Sequence, residues 1–234
     1  MIDGVEVVRH PRARVARLSV DPATGRVRLT VPRRMALAKA VAWAGEKAEW
    51  IAAQRAKLPQ GRPFVDGAVV PVAGRDVRLV WDAGVSRTPV LRPSGEGRDD
   101  EAVLVCGGPA EAFATRIERW LRREALRALA EDTAHYAAKA GVTVAQVAVA
   151  DPRARWGSCS STGAIRYSWR LLLAPVAVRR ATVAHEVAHR VHMHHGPAFH
   201  ALVAELFEGD PDDARRWLRA SGAALHWYGR DSSS

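Results

Sequence analysis

Residues 185–195 read His-Glu-Val-Ala-His-Arg-Val-His-Met-His-His, and the first five impose a helix if they are to act together. At 3.6 residues per turn, positions four apart stack on one helical face. His185 and His189 can then present two imidazole nitrogens to one zinc ion at ~2.0–2.1 Å. Glu186, one residue along, stands beside that ion as a general base without taking a coordination position. Two ligands, one carboxylate and room for a water are what a hydrolytic zinc site requires.

A catalytic zinc takes three protein ligands and keeps one position open. His192 lies three residues past His189 on nearly the same face, where it would compete for the same side of the ion. If the helix ends around Met193, His195 on the exiting loop can swing across, with Gly196-Pro197 making the turn and restart. Spacing therefore favours His195 as third ligand and leaves His194 and His200 as alternatives. Cys159 could close a tetrahedron with three histidines and make a purely structural site, but Glu186 would then have no task.

Elsewhere the chain divides by turn and periodicity signals. Residues 5–9 and 14–20 are extended, Asp21-Pro22-Ala23-Thr24-Gly25 is a turn, and 26–31 returns as a strand of alternating basic and apolar residues. An Ala-rich helix is expected over 33–58, with Trp43 and Trp50 packed on the hairpin. Residues 64–106 read as short strands, broken by a Pro-Ser-Gly-Glu-Gly loop at 93–97. Gly107-Gly108-Pro109 marks the main boundary, giving a β-rich region 1–108 and a second domain 109–234. The second begins with a long helix, about 110–140, whose apolar residues recur every three or four positions. A β-like stretch 142–150, a loop 153–163 and a strand 164–169 precede the histidine helix, 176–191. A helix opens at Pro197. Another starts at Asp210-Pro211 and ends before Gly222.

Forty-eight per cent apolar and 26% charged residues fit a soluble globular protein. The longest apolar run, Leu171 to Val178, is far short of the ~20 residues of a membrane span. Two cysteines make no disulfide framework, and residues 1–4 lack the features of a signal peptide, so a reduced cytoplasmic setting is expected. The net charge of +10 would draw nucleotides or nucleic acid. Its arginines are spread along the chain with no run of five like charges, which suits a solvated surface.

Arg155-Trp156-Gly157-Ser158-Cys159-Ser160, Ile165-Arg166-Tyr167-Ser168-Trp169-Arg170-Leu171, the histidine helix and His195-Gly196-Pro197-Ala198-Phe199 together resemble the YgjP-like metallopeptidase family. More distantly the chain is similar to the WLM and SprT-type zinc proteases. The resemblance runs through most of the chain and is sharpest over 153–200. It implies an α+β fold: a β-rich N-terminal half with one helix, then a zincin-like helical domain with a small sheet. It also implies one zinc ion held by His185, His189 and His195, Glu186 as base, and a peptide or protein substrate. Departures are His194 where the family often has Asn, His200 where it often has Trp, Ser168 where Asn is common, and Arg179 or Arg180 in place of an acid. Arg155, Arg166, Tyr167 and Arg170 are candidates to stabilise an oxyanion. Two other functions stay open: a metal-dependent nucleotide (phosphoanhydride) hydrolase, which the arginine excess suits, and a nucleic-acid-associated protein with structural zinc.

Overall fold

A computed structural model describes residues 5–93 and 101–231. The chain divides into two compact units, 1–60 and 61–234.

In the first unit, β1 (Val5–His10), β2 (Arg17–Val20) and β3 (Val27–Pro32) form a sheet in the order β1-β3-β2, followed by α1 (Leu37–Gly45) and α2 (Ala48–Arg55). β2 and β3 make the expected hairpin. Its turn is held by the Asp21 carboxylate, which accepts from the Ala23 amide and the Thr24 hydroxyl at 2.9 and 2.8 Å. β1 pairs parallel to β3. The alternating residues Leu29 and Val31 turn inward onto Ala40 and Ala44 of α1. The single helix expected over 33–58 is two short ones. Ala36 is still extended, and the ladder breaks at Gly45-Glu46-Lys47, where glycine costs about 1 kcal/mol relative to alanine. Trp43 packs on this small core, whereas Trp50 is exposed, against expectation.

The second unit begins with β4 (Val69–Val72), β5 (Arg75–Trp81), β6 (Val90–Pro93) and β7 (Glu101–Cys106), ordered β4-β5-β7-β6. β4 and β5 are joined by Ala73-Gly74, both at positive φ, a two-residue hairpin turn whose twist matches its strands. The expected loop after Pro93 falls on 94–100, outside the described residues. The sheet's inward residues, Val77, Leu79, Leu104 and Cys106 among them, share one core with Phe113, Ile117 and Leu121 of α3 (Phe113–Lys139). The strands of 69–106 thus belong to the same compact unit as the helices, and the division of the chain falls at residue 60 rather than 108.

α3 starts three residues later than expected, after a 3-10 turn at Ala110–Ala112, and Gly141 follows its end at positive φ. Next come β8 (Gln146–Ala150), β9 (Gly157–Cys159) and β10 (Ala164–Ser168), ordered β8-β10-β9, with β10 parallel to β8 and antiparallel to β9. A 3-10 turn at Trp169–Leu173 leads into α4 (Val176–Ala188), α5 (Pro197–Leu206) and α6 (Pro211–Leu225). α6 starts as expected: Asp210 accepts the Asp212 amide at 2.8 Å, with Pro211 in the first turn. It runs through Gly222 to Leu225 because nothing there demands a left-handed conformation. That glycine serves packing instead: a Cβ on it would lie 2.7 Å from the Trp156 ring. The fold is α+β, and no described helix is long and apolar enough to cross a membrane.

Candidate metal centre

α4 buries Val183, Ala184, Val187 and Ala188 in the core, which fixes the rotation of the helix and hence the direction of His185 and Glu186. The helix ends at Ala188, three residues short of the expected Val191. His189 is its C-cap, yet keeps helical dihedrals (φ −64°, ψ −15°), so the four-residue relation to His185 survives. Because the helix stops early, the chain turns away directly after the second histidine, and His195 returns beside the first two.

The structure brings His185, His189 and His195 together: one ring nitrogen from each lies within 4.8 Å of the others. The Nε2 atoms of His185 and His195 are 3.2 Å apart. Two nitrogens ~2.05 Å from a tetrahedral ion would be separated by about 3.3 Å, so this edge already has the dimension zinc needs. Phe199 of α5, fully buried, forms the floor. Its ring centroid lies 4.8, 4.6 and 4.8 Å from those of His185, His189 and His195. His189 Nδ1 is 3.1 Å from the His192 carbonyl oxygen. As a donor there, it leaves Nε2 with its lone pair towards the other two rings, the outer-shell arrangement usual for a metal-ligating histidine.

Electrostatics agree with the geometry. Burial, reinforced by His189 and His195, pushes His185 down to about 3, and burial also lowers His189. Both imidazoles are therefore neutral and available as ligands near pH 7. Three imidazole nitrogens with no fourth protein donor beside them among the described residues fit a catalytic rather than a structural zinc.

Glu186 is 6% exposed, and its burial raises it to about 7 against the opposing pull of Arg155. Its carboxyl lies on the backbone of Gly157 so closely that a Cβ there would be 2.5 Å from Oε1 and 2.6 Å from Cγ. Gly157 is held in turn by pairing with Tyr167 of β10, and the Ser168 amide donates to the Trp156 carbonyl at 2.8 Å. Behind it Trp156 is wedged against Gly222 and the ring of His226, centroids 5.4 Å apart. The Arg-Trp-Gly segment is thus the wall against which the acid of the histidine helix is set.

Other candidates fall elsewhere. His192 contributes its carbonyl and not its ring. His194 and His200 lie outside the three-nitrogen group, and His200 accepts from the Arg215 guanidinium at 3.3 Å. Cys159 is also outside it, and burial holds its thiol above the ordinary range, away from the thiolate a metal would want. Tyr167 is fully buried against Thr133, 3.1 Å between hydroxyl oxygens. Arg170 is a structural clamp, donating to both Asp151 carboxylate oxygens at 2.7 and 3.0 Å and to the Leu225 and Tyr228 carbonyls. Arg179 at the start of α4 pairs with Asp132 at 2.7 Å. Arg166 is exposed on β10. Arg155 alone of the oxyanion candidates lines the cleft beside Glu186. That cleft, of about 270 Å³, is walled by Trp156, Val203, Pro211, Ala214 and Leu218, and Arg215 lines it together with Arg155. Phe199 as a floor, Gly157 as a seat and Arg215 in the cleft have no signature in spacing; only the compact Arg-Trp-Gly-Ser-Cys string hinted that its loop was special.

A trio of converging imidazoles with a buried carboxyl alongside belongs to the class of metal-dependent hydrolases. A family model described as YgjP-like, metallopeptidase domain, matches residues 14–221, and the chain belongs to that family. No curated protein matches the chain, and no solved structure does.

Proposed function

We propose that the protein is a zinc-dependent peptidase in which His185, His189 and His195 hold the ion and Glu186 is the general base. The observation that carries this reading is the convergence of three imidazole nitrogens within 4.8 Å beside a carboxyl that is buried and raised to about 7. Zinc, when bound, supplies Lewis acidity that brings a water towards pKa ~7 and polarises a scissile carbonyl. Glu186 accepts the water's proton on its carboxylate and delivers it to the leaving amine; a group titrating near neutrality does both efficiently. Trp156, Val203 and Leu218 exclude water from the cleft and take an apolar side chain of the substrate. Arg155 and Arg215 stand where an anionic oxygen would be drawn in.

Glu186→Gln, which keeps size and polarity, should retain about one zinc per chain and lose turnover. Full activity in that variant on casein-derived peptides would end the assignment. The two arginines that line the cleft, Arg155 and Arg215, also favour a second reading, hydrolysis of a nucleotide phosphoanhydride. Phosphate release from nucleoside triphosphates, set against peptide cleavage by the same preparation, decides between them.

A further inference from the structure

The charge of this protein is not evenly distributed. Residues 1–60 hold 12 of the 35 Lys and Arg and 5 of the 25 Asp and Glu, a net +7 of the chain's +10 in about a quarter of its length. The remaining 174 residues are close to balanced. A coding preference for Arg over Lys changes which cation is used and not how many there are, so it does not account for this imbalance.

The topology concentrates the charge further. Because β1 runs parallel to β3, their C-terminal ends, His10 and Pro32, lie side by side, and β2 enters at the same end with Arg17 opposite Thr30. The segment from β1 to β2 contributes Arg9, His10, Arg12, Arg14 and Arg17, and the chain leaving β3 contributes Arg33 and Arg34. All seven are exposed, and none is ion-paired among the described residues. Arg9 donates to the Arg33 and Met35 carbonyls at 2.6 and 3.0 Å, which binds the two segments into one surface. No acidic residue occurs in 7–20 or 31–45. Of the nearby acids, Glu6 pairs with Arg28 at 3.3 Å, and Asp21 closes the turn at the opposite end of the sheet. Six guanidiniums without counter-charges among the described residues, at one end of a small domain, repel one another unless an anion meets them.

We infer that this end of the N-terminal sheet is a nucleic-acid-binding surface that engages the phosphodiester backbone without reading sequence. Arginine's planar fork matches phosphate oxygens two at a time, and the patch contains no lysine. Its one aromatic ring is the His10 imidazole, with no Phe, Tyr or Trp on which a base could stack, so recognition rests on charge. An anionic membrane would meet the same charge, but binding there wants a broad apolar face to insert, and the exposed large apolar residues of this region are only two, Val15 and Leu37. The surface lies within the first unit and is independent of the hydrolase reading, so either can fail alone.

The test is binding of the full chain to a fluorescein-labelled 20-base-pair DNA duplex of arbitrary sequence, read by anisotropy across a KCl series. With about four phosphates neutralised, log K should fall against log salt with a slope of about −3.6, roughly 150-fold between 50 and 200 mM. Arg12→Gln/Arg14→Gln/Arg34→Gln should reduce that slope by about 2.7 and lower affinity at 50 mM at least about tenfold. Arg119→Gln/Arg123→Gln/Arg219→Gln removes the same net charge from exposed sites of the second unit and should leave both quantities unchanged. Circular dichroism melts identical to wild type confirm that the first variant is folded, and the single Arg14→Gln should shift the slope by about 0.9 in the same direction. Equal losses in the two triple variants would overturn the proposal, since binding would then report net charge alone. So would failure of the wild-type protein to bind the duplex at 50 mM, or binding to phosphatidylserine-containing vesicles in its place.

Discussion

Replacing Gly157 by Ala isolates the seat of the Glu186 carboxyl, the proposed general base. The new methyl would sit 2.5 Å from Glu186 Oε1, 2.6 Å from Cγ and 2.7 Å from Cδ. Ordinary contact for such atoms begins near 3.4 Å, so something must yield by about 0.7–0.9 Å. Gly157 is not at positive φ, and no backbone strain confuses the substitution. The strand cannot give way easily, because Gly157 is paired with Tyr167, which is fully buried. The Glu186 side chain must move. A displacement near 1 Å in a reacting group costs about 100-fold in rate, or ~2.7 kcal/mol of barrier. The overpacking itself should cost ~1–3 kcal/mol of stability.

The expected result is therefore kcat reduced about 100-fold on whichever substrate the wild type cleaves, with zinc content by mass spectrometry unchanged. Glu186→Ala supplies the control for mechanism, since it removes Cγ, Cδ and Oε1, the three atoms the new methyl would strike. Gly157→Ala should cost much less stability in that background than in the wild type, a coupling of at least about 1 kcal/mol in a double-mutant cycle read by thermal melts. If Gly157→Ala stays within threefold of wild type in rate, or its effect on stability simply adds to that of Glu186→Ala, Gly157 does not act by seating the acid.

The clamp at the end of α6 is tested by Asp151→Asn, which leaves Arg170 buried without a full counter-charge. Breaking such a pair costs ~3–5 kcal/mol when deeply buried, and about 2–3 is expected here because Asp151 is 30% exposed, a melting decrease of roughly 5–10 °C by calorimetry. Burial alone would raise Asp151, but Arg170, with smaller help from His226 and Arg122, brings it below its ordinary 3.8. The stabilisation is thus complete above that value and is lost as pH falls through the depressed one. The gap between wild type and Asp151→Asn should close below about pH 3.8; a gap unchanged down to pH 2 would refute the assignment. His195→Ala should release zinc, whereas His192→Ala should hold it, because only the His192 backbone carbonyl faces His189. Equal metal loss in the two would reopen the choice of third ligand. Cys159→Ser should leave zinc content unchanged, and a parallel loss of zinc would place the thiol at the ion.

How much of this fold and site is legible in the sequence depends on the range over which each feature is determined. Periodicity is local, so α3 to α6 and the β2–β3 hairpin were legible, and so was the pairing of His185 with His189. His195 was legible because a chain break lay between it and the helix, although the break falls four residues earlier than Met193 suggested. Other features depend on approaches between distant segments. Glu186 over Gly157 joins positions 29 apart, and Trp156 against Gly222 joins positions 66 apart, each made possible by an absent side chain. The assignment of β4 to β7 to the same unit as α3 came from a shared core that no boundary of glycine and proline announces. The charge surface is intermediate. Its arginines stand in plain view, but a search for consecutive like charges passes over them, since parallel pairing of β1 with β3 is what gathers Arg9 to Arg17 beside Arg33 and Arg34. The same division runs through the candidate active site. Residues that would hold the metal lie within eleven positions of one another, while the walls that shape the substrate come from β9, α4, α5 and α6. A local motif therefore reports the chemistry of such an enzyme, and only the assembled cleft, largely apolar with two arginines in its lining, bears on what it acts upon.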